Sequence, residues 1–163
     1  MTSHNVAIVG SFRRYYREIL AARSIFIDAG IDTTTPRGGA VLDDGIRFVR
    51  FDSYAPSHSD ELVQALALHR IFRATAVYVV APGGYVGRTT CYEIGRCMQA
   101  GRPIYFSDFP EDLPVAVPSS HVATPAQVAA YILDGAVTPT LPLHDAELVN
   151  YERRLLDGDY DEY

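Results

Sequence analysis

The sequence predicts an α/β fold: a parallel sheet of about five strands with helices on both faces, flavodoxin-like or Rossmann-like. Three observations predict it. Short apolar, β-branched runs such as "NVAIVG" and "ATAVYVV" alternate with longer segments of helical period. Glycine stands at the ends of several of these runs, where a strand must turn into a helix or a helix must stop. A chain of 163 residues that is 48% hydrophobic and 21% charged suits one packed core.

Each element has its own signal. Residues 5–10 read as a buried parallel strand. Residues 13–29 carry Ile19, Leu20, Ile25, Phe26 and Ala29 near helical period, with Gly30 placed to end the helix. "IDTTTP" reads as a second strand closed by Pro36, and "RGGAVLDDG" as a loop. "IRFVRFD" alternates and reads as a short strand or an ordered insertion. Ser59 opens a helix with Leu62, Leu66, His69 and Arg73 along one face. "ATAVYVVAP" is the most strand-like run in the chain. The helix after the glycine-rich stretch reaches Ala100 and is ended by Gly101, and "RPIYFSD" is the next strand. "VATPAQVAAYIL" holds a last strand end and a proline-started helix from about Pro125 to Leu133.

Residues 1–135 are thus expected to form a single α/β catalytic domain, and residues 136–163 a C-terminal extension. Pro139 and Pro142 break regular structure there, residues 146–156 read as a helix, and residues 157–163 form an acidic, aromatic tail. That tail is either a solvated end or an arm that docks on this subunit or its neighbour.

Composition excludes several classes. A formal net charge of −6 argues against a nucleic-acid polymer as partner, which needs a basic face. No apolar run approaches the length of a membrane span. Cys91 and Cys97 lie six apart on a predicted helix and face different ways. With no secretory segment, the chain reads as cytoplasmic. The five histidines are scattered and neither cysteine has a C-x-x-C partner, so no metal and no cofactor is expected.

The stretch "APGGYVGRTTCYEIG" carries the chemistry. It lies between the most apolar strand and a helix, at the sheet edge where ligands of open α/β folds bind. Gly83, Gly84 and Gly87 permit close backbone approach, and the following helix offers free N–H groups and a positive dipole end. Arg88, Thr89 and Thr90 add charge and hydroxyl donors for a small phosphorylated or polyhydroxyl ligand. A tight structural turn that binds nothing is the other reading of these glycines. Glu93 also has two readings from spacing alone: a carboxylate at the site, or the last residue of a T-x-x-E capping box begun by Thr90. Neither GxGxxG nor GxxxxGK[ST] occurs, and the chain has no lysine, so dinucleotide redox and ATPase readings lose their support.

"Gly10-Ser11-Phe12" after the first strand, together with "APGGYVGRTTCYEIGRCMQAGRPIYF", resembles the nucleoside 2-deoxyribosyltransferase-like family over roughly Val6 to Phe106. That resemblance implies a five-stranded parallel sheet, a homodimer or higher homo-oligomer, and cleavage of the N-glycosidic bond of a deoxynucleoside or nucleotide. Glu93 matches the family's nucleophilic glutamate, and Gly10, Ser11 and Phe12 join the binding loop. Family members use an aromatic hydroxyl near Tyr15 and Tyr16 to orient the glutamate. Many also place an aspartate on the helix before the third strand, where this chain has His69 nearby. His69 is then a sugar or phosphate contact or the general acid, or else a histidine packed beside Leu62 and Leu66. Arg13, Arg14 and Arg17 form either a solvated face or a 5′-phosphate receptor. Asp108 and Glu111 either accept bonds from the ligand or make a turn.

The chemistry is self-consistent. An N-glycoside reacts through an oxocarbenium-like state, which a carboxylate stabilises or captures as an ester. A second group protonates the leaving base. Water as acceptor makes a hydrolase, and a second base makes a transferase. Two alternatives stand beside this: a nucleotide phosphoribohydrolase with a PGG-type loop, and a non-catalytic nucleotide-binding module.

Overall fold

Alternation within the first strand sorts the core onto two faces of one sheet. The computed structural model describes residues 4–35, 41–43, 50–51, 57–140 and 146–159. In β1 (Asn5–Gly10), Val6 and Ile8 face one layer while Ala7 and Val9 face the other. β5 (Ala76–Val80) repeats the pattern, with Tyr78 on the first side and Val77 and Val79 on the second. Both strands are buried on both faces, as a central parallel strand must be.

The order of the sheet is β2-β1-β5-β6, all parallel, with β2 at Asp32–Thr35 and β6 at Ile104–Phe106. Helices α1 (Phe12–Asp28) and α4 (Pro125–Leu133) supply Ile19, Phe26, Val128 and Ile132 to one face. Helices α2 (Asp60–Phe72) and α3 (Arg88–Gln99) supply Ile71, Ile94 and Cys97 to the other. Each fully buried side chain of this size contributes about 1.5–3 kcal/mol. Phe26 meets the Tyr78 ring edge-on at 5.5 Å, and the Tyr78 hydroxyl donates to the Ala123 carbonyl at 3.1 Å.

Among the described residues the sheet has four strands rather than five. Where the fifth is expected, Val122 makes one isolated parallel bridge to Phe106. A 3-10 turn at Ser119–His121 precedes it and Pro125 starts α4 soon after, so no ladder has room to grow. "RGGAVLDDG" is not wholly a loop either: Val41–Asp43 forms β3, paired antiparallel with β4 (Arg50–Phe51). Pro36 and most of "IRFVRFD" lie outside the described residues.

The buried face of α2 is Val63, Leu68 and Ile71, not the stripe through Leu62, Leu66 and His69. Leu62 and His69 are exposed. The helix is apolar on several sides, so more than one stripe fits its sequence.

The C-terminal extension does not stand apart from the domain. The Thr140 hydroxyl donates to the Ile104 carbonyl at 2.6 Å and accepts from the Ile104 amide at 2.8 Å. Thr140 is fully buried and takes the place of a ladder partner along the outer edge of β6. His121 stacks on Tyr105 at 5.0 Å and contacts the Thr138 carbonyl, while the Thr138 amide donates to the Tyr105 hydroxyl. Helix α5 (Ala146–Leu156) follows, with Leu156 beside Gly101 at the turn entering β6. The Arg154 guanidinium binds Asp159 at 2.7 Å. Tyr160 and the rest of the tail lie outside the described residues.

Candidate functional site

The chain leaves β1 toward β2 on one side and returns to β5 on the other, which opens a crevice beyond the carboxyl ends of β1 and β5. Gly10 pairs with Val80 there, and a Cβ at residue 10 would stand 2.7 Å from the Val80 carbonyl oxygen. Ser11 then caps α1, and Gly87 caps α3. A Cβ on Gly87 would lie 3.7 Å from that of Ser11, so two helix N-termini meet at one point. Their positive ends favour an anion between them.

The glycine loop is held from behind. Pro82–Gly84 forms a 3-10 turn. Asp108 accepts from the Gly83 amide at 3.1 Å, Asp112 from the Val86 amide at 3.4 Å, and Ser107 from the Ala81 amide at 2.8 Å. The Glu111 amide donates to the Gly84 carbonyl at 2.9 Å. Gly84 has φ +82, and a Cβ there would stand 2.6 Å from the Phe109 carbonyl oxygen. Gly83 and Val86 therefore spend their donors on protein carboxylates, and Asp108 and Glu111 serve the turn. The first amides of α3 remain as donors for an anion.

Tyr15 belongs to the same clamp. Its hydroxyl donates to the Pro82 carbonyl at 3.1 Å, and its ring meets Tyr85 edge-on at 6.0 Å. The Arg14 guanidinium lies 4.3 Å from the Tyr85 ring centre. The hydroxyl reaches the glycine loop rather than Glu93.

Glu93 stands in the second turn of α3, because the helix begins at Arg88 with Gly87 as its cap. Thr90 is therefore inside the helix and buried, and no capping box forms with Glu93. The partner of Glu93 comes from the neighbouring helix: Gln64 Nε2 of α2 donates to Glu93 Oε1 at 3.4 Å. Burial pushes the Glu93 carboxyl up to about 7, opposed by that hydrogen bond, which favours the ionised form. Carboxylates at helix N-termini ordinarily stay ionised, unlike Glu93 here. The second-turn position explains the difference, since the dipole effect fades within the first turn. Cys97, one turn further on, is buried and pushed up to about 12, chiefly by desolvation and then by Glu93, so it stays a thiol.

Between α2 and α3 lies a cleft of about 1080 Å³. Arg13 from the start of α1, Gln64 and His69 of α2, and Arg88, Thr89, Tyr92 and Arg96 of α3 line it. Glu93 is on the same α3 stripe and is tied to the cleft wall by its bond to Gln64. The structure thus brings His69, Arg88 and Thr89 to one cleft, with Glu93 joined to it through Gln64, while Ser11 and Gly87 meet each other at the two helix starts. It places Thr90 in the core, Phe12 against the α1-side core, and Tyr15 with Gly83 and Gly84 in the loop clamp. Gln64 is the contact that sequence reasoning misses, because a neutral glutamine inside a helix carries no local signal of what it touches on another helix.

No family model and no curated protein matches the chain. Among solved structures it is similar to a conserved protein from Enterococcus faecalis V583, at 14% identity and TM-score 0.45 over 96% of each chain. No helix among the described residues is long and apolar enough to cross a membrane.

Proposed function

We propose that this chain cleaves or transfers at the N-glycosidic bond of a (deoxy)nucleoside or nucleoside monophosphate, with Glu93 as the nucleophile. The observation that carries this reading is Glu93 itself: a desolvated carboxyl bonded to Gln64 on the wall of a cleft that Arg13 and Arg88 also line. The family resemblance of residues 81–106 points the same way.

In this mechanism the anomeric carbon lies against Glu93, and Arg13 and Arg88 receive the sugar's 5′ end. One Glu93 carboxylate oxygen bonds to the anomeric carbon as the carbon–nitrogen bond breaks. The electron pair of that bond goes to the base, which takes a proton from a general acid; His69, exposed on the cleft wall, is the candidate. Water or a second base then attacks the same carbon and frees the carboxylate. Homo-oligomerisation rests on the family resemblance alone, and light scattering of the purified protein tests it.

A second reading is a nucleotide-binding module without catalysis. It is favoured by Glu93 being tied to the cleft through Gln64 rather than lining it directly. Incubation with a panel of nucleosides and monophosphates, scored for free base, separates the two. Addition of a labelled second base separates hydrolase from transferase.

A further inference from the structure

Resting on the reading of Glu93 as nucleophile, we propose that Gln64 is its positioning residue: the α2 side chain pins one carboxylate oxygen of Glu93 and so presents the other to the cleft. The two residues belong to different crossover helices, 29 positions apart in sequence, and their bond joins the cleft wall to the carboxyl. Gln64 both lines the cleft and contacts Glu93.

An amide suits this place for a chemical reason. Its NH₂ group donates to an ionised carboxylate, and after a flip its oxygen accepts from a protonated one. It thus serves Glu93 before attack and during any later proton transfer without bringing a charge of its own into a desolvated pocket. A glutamate here would repel, and a leucine would leave the carboxylate without a partner. The long 3.4 Å contact is of the kind that tightens when substrate completes the site.

The groups that face this pair are few. Cys97 lies one turn along α3 and is coupled electrostatically to Glu93. Glu61 and His69 on α2, Arg13 at the start of α1, and Arg88 and Arg96 on α3 line the same cleft. Burial raises the Glu93 carboxyl and the Gln64 hydrogen bond opposes it.

The test uses the full chain with Gln64→Leu and Gln64→Lys, residue 64 being partly exposed on a surface helix. The ionisation midpoint of Glu93 is read by carbon-13 NMR of labelled glutamate, assigned with Glu93→Gln. Loss of the donor should move the midpoint to higher pH, and a lysine should move it to lower pH. In the activity assay, Gln64→Leu should lower kcat about 10-fold to 100-fold with little change in KM, the loss expected when a hydrogen bond to a charged group goes. An unmoved midpoint in both variants overturns the proposal. So does an unchanged kcat in Gln64→Leu. The NMR titration reads the pair whether or not any base is released, so absence of base release from the wild type defeats the reading of Glu93 while the midpoints still judge Gln64.

Discussion

The hydroxyl of Tyr15 donates to the carbonyl of Pro82 at 3.1 Å, tying the first turn of α1 to the glycine loop of β5. The chain kinks at Tyr15, where φ is −125° and ψ 33°, and that kink lies within the first turn of α1, beside the loop. The bond fixes the loop that aims α3, and with it Glu93.

Tyr15→Phe should therefore cost about 0.5–1.5 kcal/mol of stability, the net worth of one partly buried hydrogen bond. A loosened loop weakens binding before it touches chemistry, so KM should rise more than kcat falls. Chemical denaturation and steady-state kinetics check the two parts.

Glu93 makes activity and stability depend on pH in opposite senses. Its carboxyl is raised from an ordinary 4.5 to about 7 in the folded protein. A nucleophile must be ionised, so kcat/KM should climb with pH and level off above about 7. The folded state holds the proton more tightly than the unfolded chain. The stabilisation is full below about 4.5 and is lost as pH rises through about 7. Glu93→Gln should then exceed the wild type in stability at alkaline pH by on the order of 1–3 kcal/mol, with the difference vanishing in acid. Thermal melts of both proteins across pH measure it.

Arg13 and Arg88 line the cleft from the first turns of α1 and α3. Both are exposed, and no ion pair to either occurs among the described residues. Nucleoside monophosphates should bind more tightly than nucleosides by about 1.5–3 kcal/mol, and Arg88→Ala should remove much of that preference. Calorimetric titration of a nucleoside and its monophosphate against wild type and variant decides it. Equal affinities would place the phosphate elsewhere or nowhere.

Local signals in the sequence were strong where a cap or a breaker sits. Thr124 with Pro125 and Gln127 makes a complete capping box, and α4 spans Pro125–Leu133 as read. Gly30 and Gly101 end their helices with positive φ, as expected. The failures are nonlocal. Thr90 and Glu93 have capping-box spacing, yet Gly87 takes the cap because the loop clamp by Asp108 and Asp112 starts α3 three residues sooner. The glycine loop reads as an anion cradle until the carboxylates from the loop after β6 are seen on its amides. The face of α2 was ambiguous because Leu62, Leu66 and Leu68 all compete for the core. The acidic tail, 157–163, is a candidate for the site in the sequence, and its last four residues lie outside the described residues.

The most direct test of the account is release of free base by the wild type and by Glu93→Ala, over the same panel of nucleosides and monophosphates. The wild type should release base from at least one of them, and Glu93→Ala should lose about 10³-fold or more in turnover while remaining folded. Near-wild-type turnover in Glu93→Ala, or tight nucleotide binding by a wild type that releases no base, would contradict it.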